Sequence, residues 1–345
     1  MKKCFWAALL IIVSCLVSSG QEKACDSTCC GVSAMFWNLE NFFDCIDNGG
    51  SDSDREFSPG GQRHWTRSRF YAKCNGIAKT IFWVQDLLGG LPDVVGLAEV
   101  ENRLVLNSLL KGTALRKTDY AIVHFDSPDP RGIDVALLYR TDVFRKISAN
   151  PCRIYDSEGR IVRTRDILCV ELCRKSDGRT MYFLVNHHPS KFGGASASHS
   201  RRMSAMARMK DICDSIVLSC AEGADSSPAC LAERYKAVHI ISMGDFNDTP
   251  DNGLFSIFDG YMANLADVPF RKGEGTIRYA GKWDLIDMFL VSSGIADGYV
   301  QEILYPPFLM TEDRTHGGQK PLRTYSGPRH EGGVSDHCPI VMRRK

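Results

Sequence analysis

Residues 238–248 read Val238-His239-Ile240-Ile241-Ser242-Met243-Gly244-Asp245-Phe246-Asn247-Asp248. A β-branched, apolar run of strand length stops at a glycine, and acids and an amide follow at once. The same layout recurs far away in the chain. Phe36-Trp37-Asn38-Leu39-Glu40-Asn41 closes a first apolar run, and Val94–Ala98 leads into Glu99-Val100-Glu101-Asn102. Val185 leads into Asn186-His187-His188-Pro189-Ser190, and Val334-Ser335-Asp336-His337 precedes a last run. Each segment alone also reads as an ordinary strand end or turn. Their joint occurrence is harder to explain by chance. Asp, Glu and Asn brought together from distant strand ends supply the oxygen ligands of a hard Mg²⁺ or Ca²⁺. The histidines add acid–base capacity near neutral pH. The combination fits metal-assisted attack of water on a phosphate ester.

Around these segments the chain alternates short β-rich runs with helical patterns. Strands are expected at Ala34–Leu39, Asp93–Val100, Tyr120–Phe125, Ile133–Tyr139, Asp166–Leu172, Met181–Asn186, Val238–Met243, Leu285–Val291 and Pro339–Met342. Two long helices are expected. Arg67–Leu88 spaces Phe70, Cys74, Ile77, Ile81 and Leu88 along one face and stops at Gly89-Gly90, and Ser198–Leu218 does the same with Met203, Met206, Cys213 and Val217. No repeat and no Pro/Ser-rich linker divides the chain, so residues 33–345 read as a single domain after a loose leader, 21–32. About nine strands and two major helices suggest two sheets packed together with helices outside.

The 345 residues carry 42 Lys+Arg against 41 Asp+Glu, a net charge of +1. No global field captures a polyanion, so any such site is a local patch. The N-terminus has the order of a secretory signal peptide: Lys2-Lys3, an apolar run from Phe5 to Val13, then small residues to Gly20. Cleavage before Gln21 suits signal peptidase, whereas Ile12-Val13-Ser14-Cys15 suits a lipobox with a lipid anchor on Cys15. Either way the protein is expected to be exported: periplasmic, secreted or an outer-membrane lipoprotein. The run is too short for a transmembrane span. Of 14 cysteines, twelve remain beyond Cys4 and Cys15, and their spacing does not form a zinc set. Disulfides suit an oxidising compartment, with Cys220–Cys230 the most plausible pair.

On Trp37-Asn38-Leu39-Glu40, Ala98-Glu99-Val100, Asn186-His187-His188-Pro189-Ser190, Gly244-Asp245-Phe246-Asn247, Leu285-Ile286-Asp287 and Ser335-Asp336-His337, the chain resembles the endonuclease/exonuclease/phosphatase superfamily. Its relatives include deoxyribonuclease I, exonuclease III, neutral sphingomyelinases and inositol-polyphosphate phosphatases. Intervening text such as Arg131-Gly132-Ile133-Asp134 resembles a secreted branch common in Bacteroides-type bacteria. The resemblance implies a four-layer α/β sandwich, DNase I-like, with two central, mostly antiparallel sheets flanked by helices and the site at one end. It implies that Glu99 is the principal metal ligand, with Asn38 and Glu40 beside it and Asp336 a metal-side carboxylate. Asp245 would orient or deprotonate the attacking water, and Asn247 would bond the phosphate. His337, fixed by Asp287, would stabilise charge. His187 would protonate the leaving oxygen or donate to the phosphate, and Arg165 and Asn186 would contact the phosphate. The implied cofactor is Mg²⁺, with Mn²⁺ or Ca²⁺ as alternatives. The chain departs from the family in Glu40, where many members carry Asp, in Ala98, where Gln is common, and in the doubled His187-His188.

The leading function is therefore a metal-dependent phosphodiesterase, an endonuclease on DNA or RNA. The second is a phosphatase or phospholipase C-type hydrolase of inositol phosphates or sphingomyelin, and a third is a non-catalytic surface binding module. Two basic stretches with aromatics, Arg63-His64-Trp65-Thr66-Arg67-Ser68-Arg69-Phe70 and the segment 314–330, could track a phosphate backbone and stack bases, which leans the reading to nucleic acid.

Overall fold

The computed structural model describes residues 31–191, 194–220 and 227–345. The signal peptide, the Cys15 anchor and almost all of the leader lie outside the described residues.

Strand β1 (Ala34–Phe42) shows how the layers arise. Ala34 and Phe36 pack into one apolar cluster, while Met35, Trp37 and Leu39 pack into another, and all five are fully buried. A strand buried on both faces reads as a nearly continuous apolar run. β1 lies parallel to β2 (Val94–Val100) in a six-stranded sheet. The others in that sheet are β3 (Tyr120–His124), β4 (Asp134–Arg140), β11 (Tyr299–Ile303) and β12 (Ile340–Arg344), in the order β11-β12-β1-β2-β4-β3. The second sheet holds β5 (Phe144–Cys152), β6 (Ile167–Arg174), β7 (Thr180–His187), β8 (His239–Asp245), β9 (Met262–Asn264) and β10 (Asp287–Ser292), in the order β5-β6-β7-β8-β10-β9. Each sheet has one parallel pair, β1/β2 and β7/β8, and antiparallel neighbours elsewhere.

Helices α1 (Arg67–Trp83) and α2 (Arg103–Gly112) cover the first sheet, placing Ile77, Ile81, Val105 and Leu109 against Trp37 and Leu97. Helices α3 (Ala195–Ser219) and α4 (Pro228–Ala237) cover the second with Met206, Met209, Cys213 and Tyr235. The result is the expected α/β sandwich of two sheets between helices. Asn102 starts α2 by accepting from the N–H groups of Leu104 and Val105 at 2.7 and 3.1 Å.

The structure differs from the sequence reading in instructive places. The helix expected over 67–88 ends at Trp83, and one further turn, Gln85–Leu88, closes at Gly89 with φ 72. Strand β5 is missing from the expectation because it is a largely exposed edge strand carrying Pro151, so it shows neither alternation nor an apolar run. β9, β11, α2 and α4 are likewise absent from the expectation. Cys220 and Cys230 are free thiols, as are the other seven cysteines among the described residues. Cys220 caps the end of α3, with its sulfur 3.4 Å from Tyr182 Oη, whereas Cys230 belongs to the first turn of α4. Among the described residues no helix is long and apolar enough to cross a membrane.

Candidate active site

The parallel pairs β1/β2 and β7/β8 both finish at one end of the sandwich. β10 and β12, antiparallel to β8 and β1, begin there. In the second sheet His187 pairs in register with Asp245, and Asp245 with Asp287. Residues level with one another on adjacent strands share a face. The pleat therefore delivers an imidazole and two carboxylates side by side. In the first sheet Asn38 is level with Ala98, and its amide nitrogen donates across the sandwich to Asp245 Oδ2 at 3.0 Å.

Glu99 requires a special backbone. Strand alternation would turn it toward α1 and α2, opposite Ala98. A register shift between Ala98 and Val100 and a φ of 59 redirect it, so that its Oε1 lies 3.9 Å from His187 Nε2 of the other sheet. Glu40, Asn41 and Asn247 are also left-handed, with φ of 47, 55 and 52. Strain of this kind, about 1–3 kcal/mol per residue, concentrates where surrounding structure holds it for a purpose. Asn41 uses its conformation to donate its N–H to Glu99 Oε2 at 2.7 Å.

His337 Nδ1 lies 2.8 Å from Asp287 Oδ2, and its Nε2 is 3.9 Å from Asp245 Oδ2. Two bonds hold this terminal segment onto β1 and a third braces it internally. Ser335 Oγ donates to Asn38 O at 2.6 Å, the His337 N–H donates to Ser335 Oγ at 3.0 Å, and Trp37 Nε1 donates to His337 O at 2.8 Å. Burial alone would lower the His337 pKa, but the Asp287 carboxylate overcomes it and holds the ring well above its ordinary value. Asp245 is pushed up to about 7, first by burial and then by Asp287, with His337 opposing. Burial, then Arg165 and Arg131, hold His187 well below the usual imidazole range, so its ring is neutral at pH 7. Two neighbouring histidines thus rest in opposite charge states because only one faces a buried carboxylate at hydrogen-bond distance.

The remaining expected residues sit around this core. Glu40 accepts from the Thr324 N–H at 2.7 Å and from Arg323 Nε at 3.1 Å, and Arg323 also binds Asp336 at 2.9 Å. Glu40 and Asp336 are thus gathered by Arg323, whereas Glu99 faces His187. Arg165 is buried; it donates to Asp129 at 3.0 Å and to the His188 carbonyl at 2.6 Å. Asn186, one residue before His187, points to the opposite face, where its amide donates to Ser242 Oγ at 2.8 Å. Asn247 donates its N–H to Asp245 Oδ1 at 2.9 Å and its amide to the His188 carbonyl at 2.9 Å. Sequence reasoning passed over Arg131, whose guanidinium lies 4.0 Å from Glu99 and 3.6 Å from Asp129. Its only sequence signal is a basic residue just before an apolar run.

Among the described residues Asp245, Asp287 and His337 bring their donor atoms within 4.8 Å of one another at this end. Asp287 Oδ1 is buried without a partner, and Glu99 Oε1 has no donor closer than His187 and Arg131. Carboxylate and amide oxygens with spare valence are the donor set of a hard divalent cation, so Glu99 and Asn38 fit one.

The chain matches the sequence model of the Endonuclease/Exonuclease/phosphatase family over residues 33–345. It belongs to that family. Its members are phosphoester hydrolases that use divalent metals. The human Nocturnin catalytic domain, with bound sulfate, superposes with a TM-score of 0.54 at 16% identity, covering 91% of this chain and 94% of that one. The mannosyl-6-phosphatase Bt3783 of Bacteroides thetaiotaomicron superposes at 0.53 and 15% identity, over 91% and 99%. D. rerio TDP2 complexed with a single-strand DNA product superposes at 0.51 and 12%, over 90% and 98%. At such identities these likenesses show a shared fold. No curated protein matches the chain.

Proposed function

We propose that this family member is an exported, Mg²⁺-dependent phosphodiesterase that cleaves nucleic acid. The observation that carries the hydrolytic reading is the meeting of Asp245, raised to about 7, with an imidazolium His337 fixed by Asp287. Asp245 is poised to take a proton from water near neutral pH, and His337 offers a charged donor to the developing phosphate oxyanion. His187, neutral, serves as a hydrogen-bond donor to the phosphate rather than as the acid. A divalent cation, bound by Glu99 with Asn38, would polarise the phosphoryl oxygens. Export, by either N-terminal route, rests on the signal-like residues 1–20.

One observation favours a second reading, a phosphatase of small sugar or inositol phosphates. Trp65 and Phe70 are buried, Arg63 is bonded to Glu56, and Arg69 to the Arg63 and His64 carbonyls. The basic-aromatic stretch 63–70 thus offers no stacking platform, which weakens the leaning to nucleic acid.

The test is hydrolysis of plasmid DNA, single-stranded RNA, inositol polyphosphates, hexose phosphates and sphingomyelin by the chain from residue 21, with Mg²⁺ and with chelator. Metal-dependent nicking lost in Glu99→Ala and in His337→Ala, by at least about 10²-fold each, is expected. Phosphate release without nicking selects the second reading, and turnover of nothing under any divalent metal overturns both.

A further inference from the structure

A second cavity, about 680 Å³, opens beside the candidate active site. Arg131, Arg163, Thr164, Arg165 and Arg201 line it together with Asp129. Arg131 is shared between the two places, since it also approaches Glu99 at 4.0 Å. Arg165, by donating to the His188 carbonyl, ties the cavity wall to the strand end that carries His187.

The charge here is out of balance. Four guanidinium groups face one carboxylate, in a chain whose charges otherwise nearly cancel. Asp129 is already engaged by Arg165 at 3.0 Å and approached by Arg131 at 3.6 Å. Arg163 and Arg201 are exposed, and among the described residues neither side chain has an acid or a hydrogen-bond acceptor. Deeper in the wall, Thr164 and Arg165 are each 4% exposed, and Thr164 Oγ1 and Arg165 Nε have no partner. Buried polar atoms without partners are uncommon and point to a group that completes them. Arginine forks match the oxygens of a phosphate, and the volume is that of a small-molecule site, roughly 300–1,000 Å³.

We propose that this cavity binds a second phosphate of the substrate, so that the enzyme selects phosphoesters carrying another phosphate beside the scissile one. This deepens the hydrolase reading above and rests on it for the scissile position. A short oligonucleotide and a sugar bisphosphate present the same chemistry, and the arms of the experiment separate them.

The experiment compares kcat/KM for a dinucleotide with and without a 5′-phosphate, and for a hexose bisphosphate against its monophosphate. The wild-type protein is expected to prefer the doubly phosphorylated member of one pair by about 10- to 100-fold, mostly through KM. The double variant Arg163→Gln/Arg201→Gln is expected to bring that ratio to within about threefold of unity. Equal use of both members, or a preference that survives the double variant, overturns the proposal. If no substrate turns over, titration calorimetry decides without catalysis. Inorganic phosphate is titrated into the full chain carrying Glu99→Ala, with and without the double change. At least tenfold weaker binding with the double change supports the cavity even where the hydrolase reading has failed. Unchanged or undetectable binding overturns it.

Discussion

His188 shows how much one position can reveal at the residue scale. Its ring is buried against Phe246, with centroids 4.9 Å apart, and neither ring nitrogen has a partner. Burial, then Arg165 and Arg202, lower its pKa to about 3. An imidazole depressed in the folded state binds its proton more readily when unfolded. Its contribution to stability is therefore complete above pH 6.5 and is lost as pH falls toward 3. His188→Phe keeps the volume and removes the titration. The fall in Tm between pH 7 and pH 5 is expected to shrink in this variant, by the equivalent of at most about 2 kcal/mol, as read by thermal melts at both pH values. Sequence reading distinguishes His187 from His188 only through a motif. The structural reason for the choice is the pleat, which turns His187 to the site. The pleat also turns Asn186 away, which the motif alone could not show. Arg131 stays hidden in sequence because its importance lies in a through-space approach to Glu99, 32 residues upstream.

Strand ends decide the site at the scale of elements. The seam between β7 and β8 is too tight for a side chain at Gly244. A Cβ on Gly244 would lie 2.5 Å from the Asn186 carbonyl oxygen and 2.6 Å from its Cβ. Gly244→Ala must push β7 from β8 and so separate His187 from Asp245. Activity is expected to fall at least about tenfold, with a stability loss of about 1–3 kcal/mol, measured by hydrolysis and by denaturant unfolding of the same preparation. The apolar strands of the sheets are legible in sequence because both their faces are buried. The edge strand β5 is not, since its exposed residues carry no periodic signal. Basic segments mislead for the converse reason: exposure of an arginine cannot be read from its neighbours, and Arg63 and Arg69 turn out to bond the protein itself.

For the molecule as a whole, the two sheets must stay in fixed register, because the site straddles them. Phe36, fully buried, sits in the cluster that joins the sheets, two residues from Asn38. Phe36→Ala is expected to destabilise by about 3–5 kcal/mol, a large share of the 5–15 kcal/mol typical of a folded protein. Activity per folded molecule should fall as well, which chemical denaturation and an active-site-normalised rate will separate. The two-sheet architecture is legible from the rhythm of strands and helices, whereas the cavity beside the site is not, since Asp129, Arg165 and Arg201 meet only after folding.

The bonds from β1 to the terminal segment span 300 residues between Trp37 and His337 and 297 between Asn38 and Ser335. During synthesis β1 emerges early and waits for nearly the whole chain before its neighbour β12 leaves the ribosome. Until then Asp287 has no imidazole to hold, so the proposed site is incomplete in the nascent chain. On the proposed function, any polypeptide cut short before residue 337 is expected to be inert toward the phosphoesters of the cell that makes it.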